Sequence, residues 1–177
     1  DLVPTFMGAH EFPPEFRDRR SAYVDLVIHE MIPAVAQDGL ARFCDVFMEP
    51  GVFTAGETRR ILEAGIEHGL VPKLHADELE PLGGAELAVE LGAASADHLG
   101  RVSEAGIRAL ARGDTVATLL PATLFFLGKT GYAPARRLID HGATVALATD
   151  FNPGSSPTPS MPLVMTIACS QMGMDPL

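Results

Sequence analysis

The sequence predicts an α/β protein built on parallel strands, with about six β/α units along its 177 residues. Short apolar segments rich in β-branched residues alternate with longer amphipathic segments. A doubly wound open sheet and a (β/α)8 TIM-type barrel both fit that alternation. No Gly-x-Gly-x-x-Gly follows the first strand and no complete phosphate-binding loop is present, which disfavours the nucleotide-binding open sheet. A barrel would need two further units outside this chain.

The first half of the chain has clear element boundaries. The first helix is indicated by Val24, Ile28 and Ile32 at helical spacing. Thr54 is a typical N-cap, Glu57 completes a capping box, and Gly69 would stop that helix. We expect strands over residues 3–9, 43–48 and 73–76, and helices over residues 21–38, 54–68 and 84–92.

The second half repeats the pattern with shorter segments. Pro121 is expected to break a continuous apolar strand, and Gly142 to stop a helix. We expect strands over residues 94–97, 115–120 and 144–148, and helices over residues 103–111, 133–141 and 161–172.

The composition limits the classes of partner. A net charge of -10 and a pI near 4.9 argue against a nucleic-acid binder, which needs a basic surface. The chain has no apolar run of about 18 residues and no signal-like start, so we expect no membrane partner. Cys44 and Cys169 lie in apolar runs and are expected to be buried, reduced thiols. These features predict a cytoplasmic protein.

Both ends of the chain are expected to be cuts in a longer protein. The sequence lacks an initiating Met and begins almost directly in an apolar segment. Asp175-Pro176 is typical of the opening of another helix. The hydrophobic fraction of 47% and the mean hydropathy of +0.18 also suit a piece whose packing partners lie elsewhere.

Polar, metal-competent side chains follow four of the predicted strands. They are His10, His75, His98 and Asp150. In a barrel the carboxyl ends of all strands meet on one face, and that face carries the active site. A single His at a strand end is more often structural, but four such residues indicate a site. Imidazole and carboxylate ligands suit Zn²⁺ or iron, which can activate water.

Two neighbouring segments could complete this site. Glu78, three residues after His75, could take a proton from water or hold a substrate nitrogen, although a solvated loop carboxylate is an equal alternative. The loop after Asp150 is dense in Asn, Pro, Gly and Ser, and it could offer polar groups to a ligand or be an ordinary turn. Turn chemistry alone accounts for Glu49, which we exclude from the ligands. The remaining histidines, His29, His68 and His141, are interpreted as structural residues of helices.

Five stretches carry more specific patterns than the ligand types alone. They include the Gly-Ala-His strand end and the Asp-Phe-Asn-Pro-Gly loop, and they cover residues 5–10, 43–47, 73–78, 95–99 and 148–154. In these stretches and in their order, the chain resembles the imidazolonepropionase family of the amidohydrolase superfamily. The resemblance extends over nearly the whole sequence.

The resemblance implies a (β/α)8 TIM-type barrel of the metal-dependent hydrolase kind. Residues 1–177 would form a partial barrel domain with strands three to eight, while strands one and two and a small β-sandwich domain would lie outside this chain. One Zn²⁺ or Fe³⁺ ion per site would be held by a His-x-His pair on strand one together with His75 and Asp150. The sequence contains no His-x-His, so we do not expect this piece alone to hold metal well.

The resemblance also implies roles and a reaction. His98 would accept a proton from water, and Glu78 would hydrogen-bond the substrate ring and shuttle protons. The substrate-binding residues would be His10, Glu78, Asn152, Gly154 and Ser155. The substrate would be a small molecule, 4-imidazolone-5-propanoate, whose cyclic amide is opened to N-formimidoyl-L-glutamate in histidine degradation. The protein would be a homodimer.

Two alternatives to this function remain open at the level of sequence. A related amidohydrolase, such as a nucleobase deaminase, would share the His and Asp residues at strand ends, although the Asn152-Pro153-Gly154 loop argues against it. The chain could also be an inactive fragment or scaffold, because half of the expected ligands are missing. Expressed alone, it is expected to be inactive and to aggregate through open barrel edges.

Overall fold

A parallel six-stranded sheet forms the centre of the molecule, as seen in a computed structural model that describes residues 2–175. The expected helix opening at Asp175-Pro176 reaches into residues outside this range. The strands are β1 Thr5–Ala9, β2 Phe43–Met48, β3 Val71–Ala76, β4 Ser95–His98, β5 Val116–Leu119 and β6 Val145–Leu147.

The spatial order of the strands is the same as their order in the sequence. Each strand pairs in parallel with the next, from β1 to β6, without a reversal. A doubly wound sheet would reverse its strand order at a switch point, so this topology excludes it. The structure confirms a partial (β/α)8 barrel of six units.

Helices connect and cover the strands on one face. They are α1 Arg20–Leu26, α2 Ile32–Gln37, α3 Ala55–Glu67, α4 Gly84–Glu90, α5 Glu104–Leu110, α6 Pro121–Phe126, α7 Ala135–Asp140 and α8 Met161–Met172. The predicted capping box of α3 is present, since Thr54 accepts the N–H of Glu57 and the Glu57 carboxylate accepts the N–H of Thr54. Within residues 2–175, no helix has the length and apolar character needed to cross a bilayer.

The first predicted helix is continuous but contains a wider turn. A π-helical turn, Val27–Met31, joins α1 to α2, and the N–H of Ile32 bonds to the carbonyl of Val27. Pro33 follows directly; it has no N–H to donate, and its ring would clash with the carbonyl four residues earlier in a regular α-helix. The wider turn accommodates it.

Two short helices were absent from the sequence-based expectation. A 3-10 turn, Pro14–Phe16, lies in the loop after β1, and α6 begins at Pro121. Pro121 does end β5, but it also occupies the first position of a helix, where its missing N–H is no loss. The helix α6 matters for function because it carries Thr123 to the carboxyl ends of the strands.

Alternating strand residues divide between a hydrophobic core and a polar concave face. The side chains directed at the helices are apolar and at most 1% exposed, namely Cys44, Val46, Met48, Leu74, Ala76, Ala96, Ala117 and Leu119. The alternate positions line a concavity and include Asp45, Lys73, His75 and Asp97. Cys44 and Cys169 are free thiols, the first buried and the second half-buried.

Candidate active site

A pocket at the carboxyl ends of the strands collects most of the residues singled out in the sequence. It is lined by Met7, His10, Phe47, His75, Glu78, His98, Asp150, Asn152 and Ser155. Of the predicted substrate-contacting residues, Gly154 is not among these, and its N–H is bonded to the side chain of Asn152. His29, His68 and His141 lie on helices away from the pocket, as expected.

Three of these side chains form a potential metal centre. His75, His98 and Asp150 each offer a ligand atom, and these atoms lie within 4.8 Å of one another. The imidazole rings of His75 and His98 have centroids 5.1 Å apart. Two imidazoles and a carboxylate in a mostly buried position are donors that Zn²⁺ and iron both accept. The donor set therefore fits a transition metal.

The backbone at two of these positions is held in an uncommon conformation. His98 has φ = 76° and Asp150 has φ = 51°, both in the left-handed region that non-glycine residues seldom adopt. Such conformations persist where the surrounding structure fixes them, often at functional sites. Here they turn the chain at the end of the strand, so that the side chains reach the pocket.

Asp150 has a hydrogen-bond partner on the neighbouring unit. The Thr123 hydroxyl donates to Oδ2 of Asp150 at 2.7 Å, and Thr123 is only 1% exposed. The other carboxylate oxygen, Oδ1, faces no such donor among the hydrogen bonds of the described chain. Asp150 therefore keeps one oxygen for another partner while the second fixes its orientation.

Glu78 and His98 lie next to each other in the pocket, and burial shifts the pKa of each. Oε2 of Glu78 lies 3.6 Å from Nε2 of His98. Burial raises the pKa of Glu78 to about 7, with help from the negative charges of Glu49 and Asp150 and opposition from His75. Burial, together with the positive charge of His75, lowers the pKa of His98 to about 3. Near neutral pH His98 is therefore an uncharged imidazole beside a carboxyl group that can gain or lose a proton.

Two buried carboxylates shape the loop that carries Glu78. Oε1 of Glu49 accepts the N–H groups of Glu78 and Leu79 at 2.7 and 3.1 Å. Asp77 accepts three N–H groups, from Leu82, Gly84 and Ala85, and so anchors the start of α4. Glu49 is thus a loop-holding residue, a role beyond the turn chemistry expected from its sequence.

The loop after Asp150 is held rigid by its own side chains. Nδ2 of Asn152 donates to the carbonyl of Asp150 at 2.7 Å, and Oδ1 of Asn152 accepts the N–H groups of Gly154 and Ser155 at 2.9 and 2.8 Å. Asn152 also forms an antiparallel bridge with Ser156. The loop is therefore a fixed wall of the pocket.

Asp45 is a site residue that the sequence interpretation did not select. Its Oδ2 lies 2.8 Å from Nδ1 of His75 and 3.5 Å from Nε2 of His10. Burial favours the protonated form of Asp45, but the two imidazoles outweigh it and hold its pKa well below the usual range. Burial likewise works against a charged His75, and Asp45 more than offsets this, so the pKa of His75 is raised. The sequence signal that could have identified Asp45 is the presence of a charged residue inside an otherwise apolar strand, since a buried charge needs partners.

Solved structures of several deaminases share this fold. A guanine deaminase from C. acetobutylicum with bound guanine superposes with a TM-score of 0.67 at 15% identity, covering 94% of this chain and 43% of that one. An adenine deaminase from Arthrobacter aurescens superposes with a TM-score of 0.64 at 17% identity, covering 97% of this chain and 52% of that one. An adenosine deaminase from Xanthomonas campestris with bound Zn superposes with a TM-score of 0.60 at 18% identity, covering 93% of this chain and 40% of that one. These likenesses show that the chain shares its β/α-barrel fold with deaminases.

The sequence itself matches imidazolonepropionase. It is 61% identical over 176 residues to the imidazolonepropionase of Geobacillus thermodenitrificans and 62% identical over 176 residues to that of Geobacillus kaustophilus. The imidazolonepropionase of Bacteroides fragilis is 57% identical over 172 residues. The chain spans about 41% of the length of these relatives. No family model matches the chain.

Proposed function

We propose that the protein carrying this chain is an imidazolonepropionase, which hydrolyses the cyclic amide of 4-imidazolone-5-propanoate to N-formimidoyl-L-glutamate. The observation that carries this proposal is the identity of 61–62% over 176 residues to relatives of that name. In the reaction, the oxygen of water bonds to the ring carbonyl carbon, the ring C–N bond breaks, and the nitrogen gains a proton. The protein would act in histidine degradation in the cytoplasm.

The chain would contribute the larger central part of the barrel domain, with strands three to eight. The remaining strands and a small β-sandwich domain would come from other parts of the protein, which fits the 41% share of its relatives that the chain covers. A homodimer without nucleic-acid or membrane partners is the assembly we propose, in keeping with the net charge of -10.

A single Zn²⁺ or Fe³⁺ ion would be held by His75 and Asp150, with two further ligands from outside this chain. Bound there, the ion would polarise a carbonyl group and lower the pKa of a water molecule. His98 lies within the same 4.8 Å cluster, but we assign it to proton transfer because its neutral ring lies 3.6 Å from the Glu78 carboxylate.

Proton handling would fall to Glu78 and His98. The uncharged imidazole of His98 can accept the proton that water loses as it attacks. Glu78, with a pKa near 7, can hydrogen-bond the ring nitrogen and deliver a proton to it as the C–N bond breaks. His10 and the loop residues Asn152, Gly154 and Ser155 would bind the polar groups of the substrate.

The test is turnover by the complete protein that carries this chain, purified with its metal. Loss of 4-imidazolone-5-propanoate absorbance, with formation of N-formimidoyl-L-glutamate, is the expected result. Guanine and cytosine serve as comparison substrates because the fold is shared with guanine deaminase. Turnover of a nucleobase without turnover of the imidazolone would overturn the proposal, as would inactivity towards all three.

A further inference from the structure

Asp45 is a buried carboxylate placed between two histidines of the pocket. It lies in the middle of β2, and its side chain is 2% exposed. Oδ2 lies 2.8 Å from Nδ1 of His75 and 3.5 Å from Nε2 of His10. Within residues 2–175, Oδ1 of Asp45 and these two ring nitrogens make no hydrogen bond of good geometry. The rings of His10 and His75 stand edge to face, with centroids 4.7 Å apart.

A metal-binding imidazole has two nitrogens with different requirements. One nitrogen must be unprotonated to bind the ion, and the other carries a proton that needs an acceptor. The 2.8 Å separation is within hydrogen-bonding range, and rotation of the His75 ring would let Nδ1–H donate to Asp45, which leaves Nε2 of His75 as the nitrogen for the ion. Without an acceptor at Nδ1, the two tautomers of His75 would compete and the ring could rotate.

We propose that Asp45 is a positioning residue that fixes the tautomer and ring orientation of the metal ligand His75 and, through the same carboxylate oxygen, orients the substrate-contacting His10. The inference rests on the proposed function for the roles of both histidines. Asp45 would thereby link the metal side of the site to its substrate side through His75 and His10, without contacting the ion or the substrate.

The charges around Asp45 suit a permanent anion. Lys73 is its register neighbour on β3, and Nζ of Lys73 pairs with Oδ2 of Asp97 on β4 at 3.0 Å. The positive Lys73 therefore lies in the same concave layer as the two carboxylates and offsets part of their repulsion. Asp97 is also an aspartate, is buried to a similar extent as Asp45 and lies on the same concave face. It pairs with a lysine instead of a histidine.

The same three residues do not suit a second ion. His10, Asp45 and His75 have ligand atoms within 4.8 Å of one another. However, zinc bonds of roughly 2.0–2.1 Å to nitrogen and oxygen in a tetrahedral site place two ligand atoms about 3.3 Å apart. The separation of 2.8 Å between Asp45 and His75 is shorter and lies in the range of a direct hydrogen bond.

The experiment compares Asp45→Asn with Asp97→Asn in the complete, metal-loaded protein. Affinity for Zn²⁺ is measured by competition with a chromogenic chelator, and metal content by elemental analysis. We expect Asp45→Asn to weaken Zn²⁺ binding roughly 10- to 100-fold, as is typical for loss of an acceptor behind a metal-binding His. Asp97→Asn should change the affinity by less than about threefold. Equal losses in both variants, or none in Asp45→Asn, would overturn the proposal.

A second measurement avoids any dependence on variant folding. Long-range ¹H–¹⁵N spectra of the unsubstituted, metal-free protein with ¹⁵N-labelled histidine report which ring nitrogen of His75 is protonated. Protonation at Nδ1 is expected, and a neutral ring protonated only at Nε2 would contradict the assignment. Loss of a second bound ion in Asp45→Asn would also contradict it. Because neither readout uses turnover, failure of the proposed substrate would leave this test intact.

Discussion

The hydroxyl of Thr123 donates a 2.7 Å hydrogen bond to Oδ2 of Asp150. The two residues belong to consecutive β/α units, since Thr123 lies on α6 and Asp150 follows β6. The bond restrains a carboxylate whose backbone already has a positive φ of 51°. A ligand oriented in this way loses less conformational entropy when it binds an ion.

Replacing Thr123 with Val should therefore weaken metal binding while preserving side-chain shape. We expect a roughly 10-fold weaker Zn²⁺ affinity in the complete protein, because Asp150 loses the partner that orients it. Thr123→Ser keeps the hydroxyl and should remain within about threefold of the parent. Chelator competition on both variants checks this, and equal losses in Val and Ser would show that packing, not the hydroxyl, is responsible.

Removing the charge of Glu78 should change how stability depends on pH. The folded-state pKa of about 7 lies above the ordinary 4.5, so the folded protein retains a proton that the unfolded chain has released. The contribution of Glu78 to the stability of the metal-free protein should fall by about 3 kcal/mol at most as pH rises from about 4.5 to about 7, and then level off. The lowered pKa of His98 acts in the opposite direction over much of this range, so the Glu78 contribution is measured as a difference between parent and variant.

The Glu78→Gln variant should lack this pH-dependent contribution to stability. Its free energy of unfolding should match that of the parent at pH 4 and exceed it at pH 8 by about 1–3 kcal/mol. Urea denaturation of both metal-free proteins at the two pH values measures the difference. A parent that is more stable than the variant at pH 8 would show that Glu78 is stabilised as an anion.

Loss of His98 should affect the chemical step. His98→Gln removes the neutral imidazole that we assign to accept a proton, and kcat should fall about 10²- to 10⁴-fold. His141→Gln is the matched control because His141 caps α7, and its ring contacts only the carbonyl of Arg137 among the bonds described for it. Steady-state kinetics should show parent-level turnover for that control. A kcat within threefold of the parent for His98→Gln would remove His98 from the mechanism.

Gly84 and Gly56 should respond in opposite ways to a methyl group. A Cβ at Gly84 would lie 2.8 Å from Cβ of Ala76 and 3.1 Å from its Cα, so Gly84→Ala should destabilise the fold by about 1–3 kcal/mol. Gly56, in α3, has nothing within 4 Å of such an atom. Gly56→Ala should stabilise the fold by up to about 1 kcal/mol through helix propensity. Urea denaturation of the complete protein measures both changes.

The sequence predicted the repeating architecture because its signals are local. Every predicted strand exists within a few residues, and the capping box at Thr54 marks the start of α3 as expected. Which strands pair with each other depends on contacts that are distant in the sequence. The sequence could therefore distinguish the open sheet from the barrel only by the lack of a nucleotide-binding motif. The helix α6 was missed because Pro121 can end a strand and begin a helix with equal ease.

The candidate site was predictable where its residues follow strands. His75, Glu78, His98 and Asp150 do line one pocket, and their assigned roles remain predictions. Asp45 and Thr123 were missed for a physical reason. Their importance depends on pairing with residues about 30 positions away, which no local pattern encodes.

The matching of strand order to chain order has a consequence for biosynthesis. Within the described sheet, each new strand docks on the one translated just before it. Only the edge strands β1 and β6 would pair with strands from other parts of the protein. At roughly 5–20 residues per second, the ribosome releases one unit of about 30 residues every few seconds. A helix forms in about a microsecond and a short chain collapses within about 100 microseconds. The sheet can therefore grow from one edge, unit by unit, at the pace of translation.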